Sequence, residues 1–186
     1  TMNGLEDKYT WSIPYSDNTQ VILTLADSGI ATLADLEGKI VGVQVATSAL
    51  ALLNDEEGQA ELAATFGDLL TYETYTLAIN DLLAGGIDAI AIDITTCNYN
   101  IANSETPEKF AVLEETLGSE QYGVGFRLGE TELRDKVNEA LIALAKDGTI
   151  EEIAKSKEEY AEILEFLSLT AATADEIEAS LLAAAE

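Results

Sequence analysis

The chain alternates short apolar runs with longer stretches of helical period. "QVILTL" (20–25) is a strand candidate, and "KIVGVQV" (39–45) is apolar and β-branched, the pattern of a strand buried on both faces in a parallel sheet. In "TSALALLNDEEGQAELAATF" (47–66) the apolar spacing turns helical, with Thr47 or Ser48 placed to cap the start. A strand near "LLTYET" (69–74), a helix "TLAINDLLAGG" (76–86) stopped by Gly85 and Gly86, and a strand "IDAIAID" (87–93) complete a βαβαβ series. This order predicts an α/β fold in which 39–45, 69–74 and 87–92 are neighbouring, largely parallel strands and the 47–66 helix leaves the first of them.

Beyond Asp93 the pattern gives a short helix, a strand near "FAVLEE" (110–115), a Gly-punctuated strand "QYGVGFRL" (121–128) and helices over 130–148 and 149–167. Leu133, Val137, Leu141 and Leu144 recur at helical spacing and predict a packing face. In "TAATADEIEASLLAAAE" (170–186), Thr173 and Glu176 hold capping-box positions of a terminal helix.

Composition narrows the class. Of 186 residues, 47% are hydrophobic, enough to build a core in one large domain or two small ones. Thirty-five Asp and Glu stand against nine Lys and Arg, for a net charge of −26; such a surface argues against nucleic acid and anionic membrane as partners. With one cysteine and no histidine, an internal disulfide is excluded and zinc or redox metal chemistry is nearly closed off, so no cofactor is expected and Cys97 reads as a buried thiol. No run of 18 apolar residues occurs, and the start, Thr1 to Lys8, has no export-signal layout.

Candidate chemistry lies where strands end, because ligands of open parallel sheets gather at the carboxyl ends of strands. After "KIVGVQV" come Ala46, Thr47 and Ser48 at a helix start, where free N–H groups and the helix dipole attract a carboxylate or phosphate. After "IDAIAI" comes Asp93, an acceptor suited to an ammonium group. Together the two ends match a zwitterion. Each also has a plain structural reading as an N-cap. Asp88, which follows the Gly85–Gly86 turn, reads as a turn residue.

Four segments, "YTWSIPYSDNTQVIL", "LADLEGKIVGVQVATSAL", "LLAGGIDAIAID" and "YGVGFRLGETELRDKVNEALIALAKDGTIEEI", stand in an order and spacing that resembles the extracytoplasmic solute-binding proteins of amino-acid ABC importers, family 3, over about residues 1–157. The resemblance implies a periplasmic-binding-protein type II fold: one complete α/β lobe plus the C-terminal part of a second. It divides the chain into a lobe 1 remnant and first crossing strand (1–19), lobe 2 (20–115), a second crossing (116–122), C-terminal lobe 1 elements (123–169) and a terminal helix (170–186). It further implies that Asp93 holds the α-ammonium of an amino acid, that Thr47 and Ser48 bind its α-carboxylate, and that Thr1 offers a hydroxyl from lobe 1. Trp11, Pro14 and Tyr15 fit the family's aromatic-Ser-x-Pro-Tyr motif.

The resemblance implies a binding component without enzymatic activity, located outside the cytoplasm and working with ABC permease subunits. Two departures qualify it. Where the family carries an arginine that clamps the ligand carboxylate, this chain has Leu5, and loss of such a pair costs on the order of 2–5 kcal/mol. The family's opening elements of lobe 1 would also precede Thr1. The apolar helices after Glu130 are then expected to be covered by residues 158–185 or by a second chain. Two alternatives share the fold: a remnant or interaction module that no longer binds ligand, and a small carboxylic-acid lyase or dehydratase. For the latter only Asp93 and scattered Glu residues offer an acid or base.

Overall fold

A computed structural model of the chain describes residues 2, 4–156 and 163–184. The order of elements is β1 (Tyr9–Trp11), β2 (Ser16–Leu25), β3 (Ile40–Gln44), α1 (Ser48–Asn54), α2 (Ala60–Ala63), β4 (Asp68–Tyr72), α3 (Tyr75–Ala84) and β5 (Ala89–Asp93). There follow α4 (Ile94–Ala102), β6 (Phe110–Val112), β7 (Gly118–Tyr122), β8 (Gly125–Arg127), α5 (Thr131–Lys146), α6 (Thr149–Lys155) and α7 (Ala174–Ala184). The chain forms two compact units: unit 1 is Thr1–Asn18 with Glu120–Glu186, and unit 2 is Thr19–Ser119. It passes between them twice, in β2 and β7, which pair with each other.

Unit 2 is built on a sheet in the order β4-β3-β5-β2-β6. β3 runs parallel to β4 and β5, as the βαβαβ pattern predicts, whereas β2 is antiparallel to both β5 and β6. Side chains of a strand alternate between faces, and both faces here are apolar. Ile22, Val41, Val43, Ala89 and Ala91 pack on one side with Leu53 of α1, and Val21, Leu23, Ile90 and Ile92 on the other with Ala78, Leu82 and Cys97. A Cβ on Gly42 would lie 2.7 Å from Ile87 Cδ1 and 3.0 Å from Tyr72 Cε2, so β3 has no side chain at that point. Asp88 does more than turn the chain: its Oδ2 accepts from Ile40 N at 2.8 Å, fastening the start of β5 to the start of β3.

Three predicted elements differ in extent. The helix expected over 47–66 breaks into α1 and α2, because Asp55 Oδ1 accepts from Glu57 N at 3.1 Å and turns the acidic segment between them. The strand expected over 121–128 divides at Gly123: β7 pairs with β2, while β8 pairs antiparallel with β1, Trp11 opposite Gly125. The helix expected over 149–167 is α6, which ends at Lys155; residues 157–162 lie outside the described residues.

In unit 1, α5 buries Asn138, Ile142 and Ala145, with Leu141 partly buried beside them, while Leu133 and Leu144 are 52% and 39% exposed. The predicted stripe is therefore rotated on the helix. Asn138 faces inward because its Oδ1 accepts from the buried backbone N–H of Ile13 at 2.9 Å, a polar position that apolar spacing cannot reveal. Over this face lie Leu169, Ala174, Ile177 and Leu181, so the C-terminal segment covers part of α5 from within the chain.

Candidate functional site

The carboxyl edge of the unit 2 sheet gathers the starts of α1, α3 and α4. At the first, Ala46 has φ 57°, a left-handed conformation that costs a residue bearing a Cβ roughly 1–3 kcal/mol. It reverses the chain between β3 and α1. Thr47 then caps α1, accepting from Leu50 N at 3.3 Å and donating from Oγ1 to Gln44 O at 2.8 Å. Ser48 is the first residue of the helix and half-buried.

Asp93 ends β5 and caps α4, its Oδ1 accepting from Thr96 N at 2.9 Å. It is half-buried, and among the described residues no Lys or Arg forms an ion pair with it. β3 and β5 pair directly with Val43 opposite Ala91, so Asp93 stands level with Val45 one strand away, a spacing of about 4.8 Å. Thr47, Ser48 and Asp93 thus share one edge of one sheet. The edge combines a carboxylate with a helix start, chemistry able to take an ammonium and an anionic group side by side.

Reasoning from sequence missed two contributors to this edge. Thr74 caps α3, accepting from Leu77 N at 3.4 Å, and Gln44 Oε1 accepts from Tyr75 N at 3.1 Å, tying the end of β3 to the start of α3. Thr74 was legible as a hydroxyl residue before a helix; the Gln44 contact spans 31 positions and left no local signal. Beneath the edge, Tyr72 donates to Asp81 Oδ2 at 2.5 Å, and burial together with that carboxylate pushes the phenol up to about 12.

Thr1 lies outside the described residues. Leu5, half-buried in unit 1, accepts at its carbonyl from Trp11 Nε1 at 3.1 Å. Among the described residues no cluster of Cys, Asp and Glu is arranged to hold a metal ion, and no helix is long and apolar enough to cross a membrane.

Residues 6–156 match the family of bacterial extracellular solute-binding proteins, family 3. The L-cystine-binding protein TcyJ of Escherichia coli is 31% identical over 150 residues, which cover 80% of this chain and 53% of the relative. ABC transporter arginine-binding protein 1 of the same organism is 27% identical, with 78% and 57% covered. Among solved structures, an ABC uptake transporter substrate-binding protein from Streptococcus pneumoniae with bound histidine aligns with a TM-score of 0.72 at 30% identity, covering 84% of this chain and 63% of that one. The chain spans about half the length of the curated relatives it matches.

Proposed function

Because the chain belongs to the bacterial extracellular solute-binding proteins of family 3, we propose that it is the amino-acid-binding component of an ABC importer, or part of one, acting outside the cytoplasm and passing its ligand to permease subunits. The observation that carries this reading is the parallel pairing of β3 with β5, which brings Thr47, Ser48 and Asp93 to one edge of one sheet. In it, Asp93 uses Oδ1 to cap α4 and turns Oδ2 to the α-ammonium. Thr47, Ser48 and the first turn of α1 take the α-carboxylate, and Thr1 adds a hydroxyl. The cystine, arginine and histidine named for the relatives share that α-amino-acid head, which supports a ligand of the same class. Leu5 brings no charge to the carboxylate, so affinity rests on the unit 2 edge more heavily than where an arginine assists.

Calorimetric titration with a panel of amino acids tests the reading. Saturable heat without product supports it; product formation supports the dehydratase alternative, and silence to every amino acid supports the non-binding remnant. Asp93→Asn separates the two roles of that side chain. Asn caps helices about as well as Asp, so stability is expected to hold, while loss of the charge lowers affinity by on the order of 2–5 kcal/mol. Equal affinity in both proteins would leave Asp93 as a cap alone. A second chain lying over the exposed Leu133 and Leu144 of unit 1 is a separate proposal, for which light scattering must show a dimer.

A further inference from the structure

The family match ends at residue 156, yet residues 163–184 are built into unit 1. Their seat adjoins the point where β2 begins its crossing. Ser168 N and Leu169 N both donate to Tyr15 O, at 3.2 and 3.3 Å, and Ser16 Oγ donates to Phe166 O at 3.1 Å. Ser16 and Leu167 form an antiparallel bridge. Leu169 and Ala174 are fully buried against Ile13, Ile142 and Ala145. Thr173 Oγ1 donates to Ser168 O at 2.8 Å and accepts from Thr170 N at 2.9 Å, which fixes the turn into α7, and Lys146 Nζ reaches Asp175 and Glu178 at 2.7 Å each.

A segment that served only to cover α5 would need the apolar face of α7 and nothing more. These contacts instead fall on backbone groups of Tyr15 and on Ser16, whose other side is already held by the second crossing. Tyr15 N donates to Tyr122 O at 3.0 Å, Gln121 Nε2 to Asp17 Oδ1 at 3.2 Å, and Asn18 Nδ2 to Glu120 Oε1 at 2.7 Å. The start of β2 is thereby held from two sides, by β7 and by the backbone of residues 166–169, rather than left as an edge. An edge strand frays far more readily than one bonded on both sides.

We propose that residues 163–184 are a strap that stiffens the first crossing strand, so that seating of the strap and order at Tyr15–Asn18 are one coupled equilibrium. Anything that lifts the strap loosens the crossing, and anything that tightens the crossing seats the strap. The coupling belongs to unit 1 and does not depend on ligand.

Hydrogen exchange on the full chain tests it, comparing wild type with Leu169→Asp, which places a charge in the strap's buried seat, and with the milder Leu169→Ala. Amides of Ser168 and Leu169 report the strap, those of Tyr15–Asn18 the crossing, and those of Ile22–Leu25 the remote end of β2. The expected result is that exchange at Tyr15–Asn18 rises with exchange at the strap, by about tenfold for Leu169→Asp, the scale set by losing one or two hydrogen bonds. Ile22–Leu25 keeps its wild-type rate, and Leu169→Ala gives a smaller change in the same places. If the strap amides of either variant open while Tyr15–Asn18 exchange as in wild type, the segment is only a cover for α5 and the proposal fails.

Discussion

The two units carry nearly the same net negative charge per residue and manage it differently. Unit 2 has sixteen Asp and Glu against Lys39 and Lys109 alone, and no ion pair joins its described residues. Its order comes from a sheet buried on both faces. Unit 1 has nineteen Asp and Glu against seven Lys and Arg, one smaller apolar cluster, and every ion pair found among the described residues, from Arg127 with Glu130 to Lys146 with Asp175 and Glu178. A two-sided sheet can tolerate unpaired surface charge, because apolar burial is large beside the few tenths of a kcal/mol typical of an exposed ion pair. Unit 1 depends more on polar detail, such as Asn138 on Ile13 and the strap on Tyr15.

The molecule has a separate probe for each unit. Trp11, the sole tryptophan, lies in unit 1, and Cys97, the sole cysteine, is buried in unit 2. Urea unfolding followed by tryptophan fluorescence and by thiol labelling therefore reads the units apart. The largest effect is expected from Ile90→Ala, which hollows the unit 2 sheet and costs about 2–5 kcal/mol in the labelling curve. Ile142→Ala should cost less and act on the fluorescence curve. If both substitutions shift both curves equally, the units unfold as one and the contrast is void.

Salt comes next in size. Screening relieves carboxylate repulsion in both units, but in unit 1 it also weakens the ion pairs, so added sodium chloride should raise the labelling midpoint more than the fluorescence midpoint. A larger gain in the fluorescence curve would contradict the assignment of charge pairing to unit 1. The smallest effect concerns Tyr72, whose phenol is raised from 10.0 to about 12 in the folded chain. A raised value means that the folded form holds its proton more tightly, so the contribution is complete below pH 10 and is lost as pH climbs through 12. Phenolate absorbance in wild type and Tyr72→Phe should differ by one late-titrating group. Its absence would remove the Tyr72–Asp81 bond from the account of unit 2.

Much of unit 2 was legible because its signals are local. "AIAI" is apolar at every position and becomes β5, whose residues alternate between two buried faces. Gly85 stops α3 with φ 78°, the left-handed cap that its position suggested. What stayed hidden depends on distant partners. The direction of β2 is set by pairing Gln20 with Asp93, and the buried face of α5 is set by Ile13, 125 residues before Asn138. The site divides in the same way. Thr47 and Asp93 announce themselves as caps from their neighbours, and their meeting on one edge follows from strand order. The role toward ligand proposed above draws on that shared edge and on the resemblance together.

The placement of β2 bears on how the protein is made. Its ten residues leave the ribosome well before the described strands that pair with it, since β5, β6 and β7 begin at Ala89 or later. At about 5–20 residues per second, β2 waits roughly 4–14 s between its own emergence and that of β5. Val21, Ile22 and Leu23, among the most deeply buried residues once folded, spend that interval as an unpaired sticky ribbon. A nascent chain stalled before Ala89 should therefore recruit chaperones far more strongly than one released past Tyr122, with β2 as the segment they hold.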